Sequence, residues 1–452
     1  MNGCACWAEW ELPQPSHMHV HPVQMLFTFS TRCTHPSHNI VSCYSINTKA
    51  VQCLSTSIRI TCIPPYRRAH KRTVIPCLSK SLALVPRRAP PGAAPVVTFT
   101  MPSMPSAAPR APKVFGGNEV ARPRLSNLTY SGSLERFKHG DLTPVIGREF
   151  EGLQVTELLS APADTIADLA VTISERGVVF LRGQDVTPTQ MKDLMLRLTQ
   201  VAGSPSSSGL HVHPLTEEGS ELGDQISVIS SEKQKKGGGL THQLSDVSRF
   251  ASSGWHSDIS FEPVPSDYAM LKIHTLPATG GDTIWASGYE VYDRLSPPLR
   301  AMLAGLTATH DATFFLDEAA RLGNPIRQGE RGSPLNQGKA LTAVHPVIRT
   351  NPVTGWNSVY VNKGFTKRIN GVTKDESDVL LAYLFNMVTQ NHDAQVRFRW
   401  RQNDLAIWDN RSTWHCATYD YAEARAGDRV CSLGEAPYLD PAATGRREAL
   451  GP

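Results

Sequence analysis

The stretch SSGWHSDISFEPVP, residues 252–265, sets a histidine and an aspartate two positions apart, His256 and Asp258, among small and apolar neighbours. On an extended strand, positions i and i+2 share a face, and at a strand end or turn they can converge on one atom. One imidazole nitrogen and one carboxylate oxygen form a donor pair of mixed hardness. That pair suits Fe(II) when a second imidazole completes a facial set and leaves three coordination positions open. A closed structural zinc site asks instead for four protein ligands, usually with cysteine. The plain alternative is strand-edge polarity, because H-x-D recurs by chance. If the pair is a metal site, its third ligand sits on a different strand of the same core, far away in sequence.

Five histidines are candidates for that third ligand: His274, His310, His345, His392 and His415. His415 stands out. It lies in IWDNRSTWHCATYDY (407–421), just after an apolar strand, between Trp414 and Cys416. His345 precedes a proline inside a β run and reads as structural. His274 alternates within a strand and reads as a core or surface residue. The nearby aromatics Trp255, Phe261, Trp408 and Trp414 read as core.

Working outward, the elements are mixed. ADTIADLAVTISER (163–176) reads as a helix with Ile166, Leu169, Ala170 and Ile173 on one face, and it runs into GVVFLRG (177–183), a buried strand bounded by glycines. In TPTQMKDLMLRLTQVAG (187–203), Thr187 is an N-cap, Pro188 opens the helix and Gln190 completes a capping box. Met191, Leu194, Met195 and Leu198 then form its core stripe, and Gly203 ends it. YAMLKIHTLP (268–277) alternates as a strand. LTAVHPVIRTNPVTGWNSVYVN (341–362) reads as two strand-like runs around an Asn-Pro-x-x-Gly turn, and NDLAIWDN (403–410) as a short strand. KDESDVLLAYLFNMVTQ (374–390) is a helix with acids in its first turn. Several strands with scattered helices give an α+β fold, a double-sheet β core decorated by helices.

Charge and cysteine divide the chain. Residues 1–100 hold ten Lys/Arg against Glu9 and Glu11, so 35 of the 45 bases and 39 of the 41 acids lie beyond them, a balance of −4. That gives no electrostatic case for nucleic acid. Cys4, Cys6, Cys33, Cys43, Cys53, Cys62 and Cys77 precede residue 78, leaving Cys416 and Cys431 for the body. Such usage fits a reduced, cytoplasmic protein. No run of about 18 apolar residues points to a membrane span. The first hundred residues read as a disordered extension or as sequence upstream of the true start, with Met101 or Met104 as natural beginnings. A mitochondrial leader is the alternative, and a metal-binding tail built on His17, His19 and His21 fits no standard zinc spacing. Residues 101–139 read as an extended arm, 140–440 as the main domain and 441–452 as a tail. KQKKGGG (233–239) reads as a solvated loop close enough to the His-Asp pair to cover it.

The ordered blocks WHSDISF, LPATGGDTIWAS, HPVIRTNPVTGWNSVYVN and IWDNRSTWHCATYDY resemble the taurine/sulfonate dioxygenase family, in particular its fungal branch. These enzymes depend on Fe(II) and 2-oxoglutarate and use O2. The resemblance runs over about residues 140–440. It implies a double-stranded β-helix (jelly-roll) core flanked by helices, with His256, Asp258 and His415 as iron ligands. Thr283, in GGDT, matches a residue that helps hold the distal carboxylate of 2-oxoglutarate. Arg425 and Arg429, four apart in EARAGDRVCSLGEAP (423–437), match the arginines for that carboxylate and for the substrate's anionic head. His213, in GLHVHP (209–214), and the backbone amide of Ile259 match further substrate contacts. Thr216 and Ser252 stand where the taurine-binding members have a tyrosine and an asparagine, which argues against taurine itself. The resemblance thus implies a small anionic substrate, an alkyl sulfonate first, with a carboxylate, sulfate ester, aryloxyalkanoate or purine as alternatives. A homo-oligomer is compatible with the sequence. The rival classes are a non-catalytic metal-binding β-barrel, and a hydrolase, for which no G-x-S-x-G elbow exists.

Overall fold

The computed structural model describes residues 128–216, 222–232 and 251–451. The chain divides into two units, Met1–Met104 and Pro105–Pro452, and everything below belongs to the second. The readings of residues 1–100, of the arm up to 127 and of the KQKKGGG loop lie outside the described residues.

Strands in chain order are β1 (His139–Asp141), β2 (Arg148–Phe150), β3 (Val178–Leu181), β4 (Ser227–Ser230), β5 (Ser266–Thr275), β6 (Thr283–Ser287), β7 (Thr307–Asp311), β8 (Thr342–Pro346), β9 (Ile348–Thr350), β10 (Asn357–Val359), β11 (Thr366–Asn370), β12 (Gln395–Phe398), β13 (Asp404–Asp409), β14 (Thr413–Ala417) and β15 (Ala426–Leu433). Seven of them form one sheet in the order β1-β2-β3-β13-β5-β15-β4, antiparallel except for β2 beside β3. A smaller sheet runs β12-β6-β14, another β11-β7-β8, and β9 and β10 form a hairpin.

Period-two alternation explains how the layers assemble. In β3, Val178 and Phe180 join a core with Trp285, Val396 and Phe398 from the small sheet, while Val179 and Leu181 turn to the opposite side. There they meet Ile166 and Leu169 of α1 (Ala163–Arg176) and Met191, Leu194, Met195 and Leu198 of α2 (Pro188–Val201). β13 repeats the division, with Ala406 and Trp408 facing the small sheet and Leu405 and Ile407 facing the helices. The central strands β3 and β13 are therefore buried on both faces, and they read as nearly unbroken apolar runs for that reason.

The same burial corrects one expectation. The alternation read over residues 268–277 implies one wet face, yet β5 is buried continuously from Ser266 to Leu271. It sits between β13 and β15 with layers on either side, so its first six residues have no face left for solvent; the alternation returns only beyond them, with Ile273 buried between the partly open Lys272 and His274. The other element readings hold, with additions. Thr187 and Gln190 close a reciprocal capping box, and Gly203 takes φ +83° just past the helix end. A second capping box, Thr373 with Glu376, opens the helix Lys374–Thr389. The Asn-Pro-x-x-Gly segment turns the β9–β10 hairpin, with Thr350 opposite Asn357. The run before it supplies β8 to a different sheet as well, so three strands arise where two runs were read.

Both flanks of the main domain are docked. Ser131 and Ser133 donate four hydrogen bonds of 2.6–2.9 Å to the Asp168 carboxylate on α1. Near the C-terminal end, the Arg447 amide donates to Asp293 Oδ2 at 3.0 Å, on the helix Gly288–Arg294. Among the described residues no helix is long and apolar enough to cross a membrane.

Candidate metal centre

His256 and His415 meet through their backbones first. They form an isolated antiparallel bridge, with His256 N–H donating to His415 C=O at 3.1 Å and the reverse bond at 2.8 Å. A directly opposed pair projects its side chains to one face, and the two imidazole centroids lie 4.2 Å apart. β14 carries His415, whose strand partner on β6 is Trp285. Asp258 follows on the same short segment as His256. The Nε2 atoms of His256 and His415 each stand 3.8 Å from a different oxygen of its carboxylate. One donor atom from each of the three residues lies within 4.8 Å of the other two. Distance in sequence, about 160 residues, is thus removed by one bridge between two strand ends.

The electrostatics suit a divalent cation. Burial opposes ionisation of Asp258, but Arg429, His415 and His256 outweigh it and hold the carboxyl at about 2. Burial pushes His415 down to about 3, so its imidazole is neutral and keeps a lone pair for a metal. His256 Nδ1 lies 2.8 Å from the Gly254 carbonyl. A carbonyl can only accept, so Nδ1 carries the proton and Nε2 is left as the donor atom. Asp258 Oδ2 is buried without a hydrogen-bond partner, a costly state for a carboxylate oxygen that a bound cation would relieve. A His, Asp, His set with an orphaned carboxylate oxygen fits a facial Fe(II) site.

The segment is held from several sides. Ser257 Oγ donates to the Thr413 carbonyl at 2.7 Å, and the Asp258 amide donates to Asn410 Oδ1 at 3.0 Å. Asn410 also accepts from Trp408 Nε1 at 3.1 Å and donates to Ser266 Oγ at 3.0 Å. The β13–β14 connection is clamped by Arg411, whose fork grips Asp409 at 2.7 and 2.8 Å. Ile259 takes φ +63° while buried. For a β-branched residue the left-handed region costs about 1–2 kcal/mol, so surrounding contacts must hold it there.

Beyond the three donors, Arg425 and Thr283 come together. Arg425 Nη2 lies 3.5 Å from Thr283 Oγ1, and its Nε donates to the Gly281 carbonyl at 2.8 Å. Thr283 Oγ1 also accepts from Trp400 Nε1 at 3.0 Å. Gly281 has φ +73°, and a Cβ there would stand 2.9 Å from Arg425 Cδ. The Gly-Gly turn is thus what lets this guanidinium in. Arg429 reaches the other way, its Nη1 donating to Asp258 Oδ1 at 2.6 Å, while its Nε is buried with no partner. His213 feels the charges of both Arg429 and Asp258. Its Nδ1 accepts from the Leu215 amide at 3.2 Å. An apolar wall links the two histidines: His213 packs on Phe315 at 4.9 Å, Phe315 on Phe261 at 5.6 Å, Phe261 on Phe365 at 5.0 Å, and Phe365 on His256 at 6.1 Å.

The remaining candidate ligands lie elsewhere. His274 is 41% exposed beside Asp428, and His392 is in a 3-10 turn. His310 and His345 are buried among polar groups behind the segment 259–262. Sequence reasoning missed Asn410, Trp400 and the Phe315–Phe365 wall. Only Asn410 had a signal, a polar residue closing an apolar strand.

Comparison with known proteins gives the chain's relatives. Residues 138–431 match the family described as taurine catabolism dioxygenase TauD, TfdA family. The alpha-ketoglutarate-dependent dioxygenase btcD of Neocamarosporium betae is 45% identical over 335 residues, 71% of this chain and 98% of the relative. The alpha-ketoglutarate-dependent sulfonate dioxygenase of Saccharomyces cerevisiae is 30% identical over 330 residues, 70% of this chain and 71% of the relative. Among solved structures, a taurine dioxygenase from Burkholderia xenovorans superposes with a TM-score of 0.51 at 27% identity, covering 69% of this chain and 92% of that one.

Proposed function

The chain belongs to the TauD/TfdA family of alpha-ketoglutarate-dependent dioxygenases, and from that premise we propose that it hydroxylates a small anionic substrate, an alkyl sulfonate first among the candidates. Enzymes of this family use Fe(II), 2-oxoglutarate and O2. When bound, that set supplies the oxidising power to convert a C–H bond to C–OH; on a carbon bearing sulfonate, the hydroxylated product collapses to an aldehyde and sulfite.

His256, Asp258 and His415 would hold the iron in this reading. Arg425 binds the far carboxylate of 2-oxoglutarate, because a guanidinium fork stays charged and matches a carboxylate bidentately. Thr283 adds a neutral hydroxyl donor beside it. Arg429, His213 and the Ile259 amide face the substrate's anionic head. The observation that carries the anion is Arg429, a partly exposed guanidinium whose buried Nε has no partner and whose Nη1 already touches the metal-facing Asp258. A substrate anion there would rest against the metal centre. The phenylalanine wall between His213 and His256 would receive the carbon skeleton and exclude water. We read the facing β12-β6-β14 and seven-stranded sheets as the two walls of a double-stranded β-helix, and the Burkholderia likeness supports that.

The test is a panel. Alkyl sulfonates, carboxylates, sulfate esters, aryloxyalkanoates and purines are added singly to enzyme with Fe(II) and 2-oxoglutarate, and succinate and sulfite are measured. The expected result is succinate formation stimulated by a sulfonate with matching sulfite release. Stimulation by another class without sulfite would keep the dioxygenase and overturn the sulfonate.

A further inference from the structure

Ile259 directly follows the metal-facing Asp258 in the left-handed region, and Ser260 and Glu262 just beyond it are gripped by buried polar side chains that the site itself does not use. His345, on β8, aims its Nε2 at two carbonyls at once, Ser260 at 3.0 Å and Glu262 at 3.1 Å. Ser260 Oγ meets His310 Nδ1 on β7 at 3.1 Å and accepts from Asn362 Nδ2 at 2.8 Å. The Glu262 carboxylate takes Arg331 in a fork of 2.5 and 3.0 Å, both side chains fully buried. Arg331 in turn donates to the carbonyls of Arg327 at 3.0 Å and Gly338 at 2.9 Å. The Glu262 amide closes the turn onto the Ile259 carbonyl at 3.0 Å.

Two carbonyls can only accept, so Nε2 of His345 must carry the proton. We propose that His345 is a positioning residue for the metal centre. Its shared N–H, backed by the Glu262–Arg331 pair, fixes the 259–262 turn, keeps Ile259 left-handed and so aims the Asp258 carboxylate between the two imidazoles. Burial, which pushes His345 to about 3, keeps the ring neutral and the tautomer single. His345 touches neither metal nor substrate; it acts through the backbone of Ser260 and Glu262. The inference rests on the metal-centre reading and adds a physical cause for the strain beside it.

Co(II) affinity, read by absorbance under anaerobic conditions, tests it without turnover. His345→Leu leaves two buried carbonyls without a donor, and Co(II) affinity is expected to fall about 10- to 100-fold, as for outer ligand supports elsewhere. His345→Gln retains an N–H that can serve both carbonyls and is expected to stay within a few-fold of wild type. The decisive arm repeats His345→Leu in an Ile259→Gly background. Glycine enters the left-handed region without steric cost, so the loss there should shrink to a few-fold. A role in general stability alone would cost the same in both backgrounds, and that result overturns the proposal, as does unchanged affinity in His345→Leu. Arg331→Lys, which keeps the charge and loses the fork, reads the same brace more gently. It is expected to weaken Co(II) several-fold, and unchanged affinity there also counts against the brace. Wild-type protein that takes up no Co(II) would overturn the metal-centre reading itself, which separates the two failures.

Discussion

His256→Ala is expected to abolish metal binding and turnover together. The imidazole is one of three donors within 4.8 Å of each other, and its orientation is set by the Gly254 carbonyl at 2.8 Å. Truncation leaves one imidazole and one carboxylate, too few to hold a divalent ion in a site built with three positions open. The loss should exceed the roughly 10- to 100-fold that follows from disturbing an outer support. The fold should survive, because His256 sits at the edge of the core and its backbone bridge to His415 needs no side chain. Metal content after Fe(II) loading and succinate yield both read the effect. An unchanged succinate yield would refute the ligand assignment.

Arg425→Ala is expected to raise the 2-oxoglutarate requirement steeply while leaving metal binding intact. Arg425 is buried, and among the described residues its guanidinium bonds a carbonyl and the Thr283 hydroxyl rather than a carboxylate. A buried cation with no acid on it is built to meet one from outside. Removing one partner of such a hydrogen-bonded charge pair costs about 2–5 kcal/mol, a factor of roughly 30 to several thousand in apparent affinity. Arg425→Lys should fall between, since it keeps the charge and loses the fork. KM for 2-oxoglutarate at saturating substrate reads this directly. Little change would move the role to Arg429 or elsewhere.

How much of this was legible in the sequence depended on the range of each interaction. The helices at 163–176 and 188–201 were readable because apolar period and capping chemistry are local. The alternation over 268–277 misled in its first half because burial of β5 there depends on flanking strands and covering helices that come from other parts of the chain. His256 and Asp258 announced themselves by spacing. His415 could be ranked above His274, His310, His345 and His392 only through its apolar approach and the likeness of the surrounding blocks. What confirms the meeting of His256 and His415 in space is a backbone bridge, and no spacing rule encodes that. The brace on Ile259 was hidden altogether. His345, Asn362 and Arg331 converge on Ser260 and Glu262 through two carbonyls, a hydroxyl and a carboxylate, and backbone acceptors leave no trace in side-chain chemistry.

The central claim is that three side chains from two distant segments bind one ferrous ion. A crystal of the protein loaded anaerobically with Mn(II), with anomalous data at the metal edge, tests it most directly. The account expects one strong peak per chain within coordination distance of His256, Asp258 and His415. A peak bound elsewhere, or one that leaves any of those three out, would contradict it.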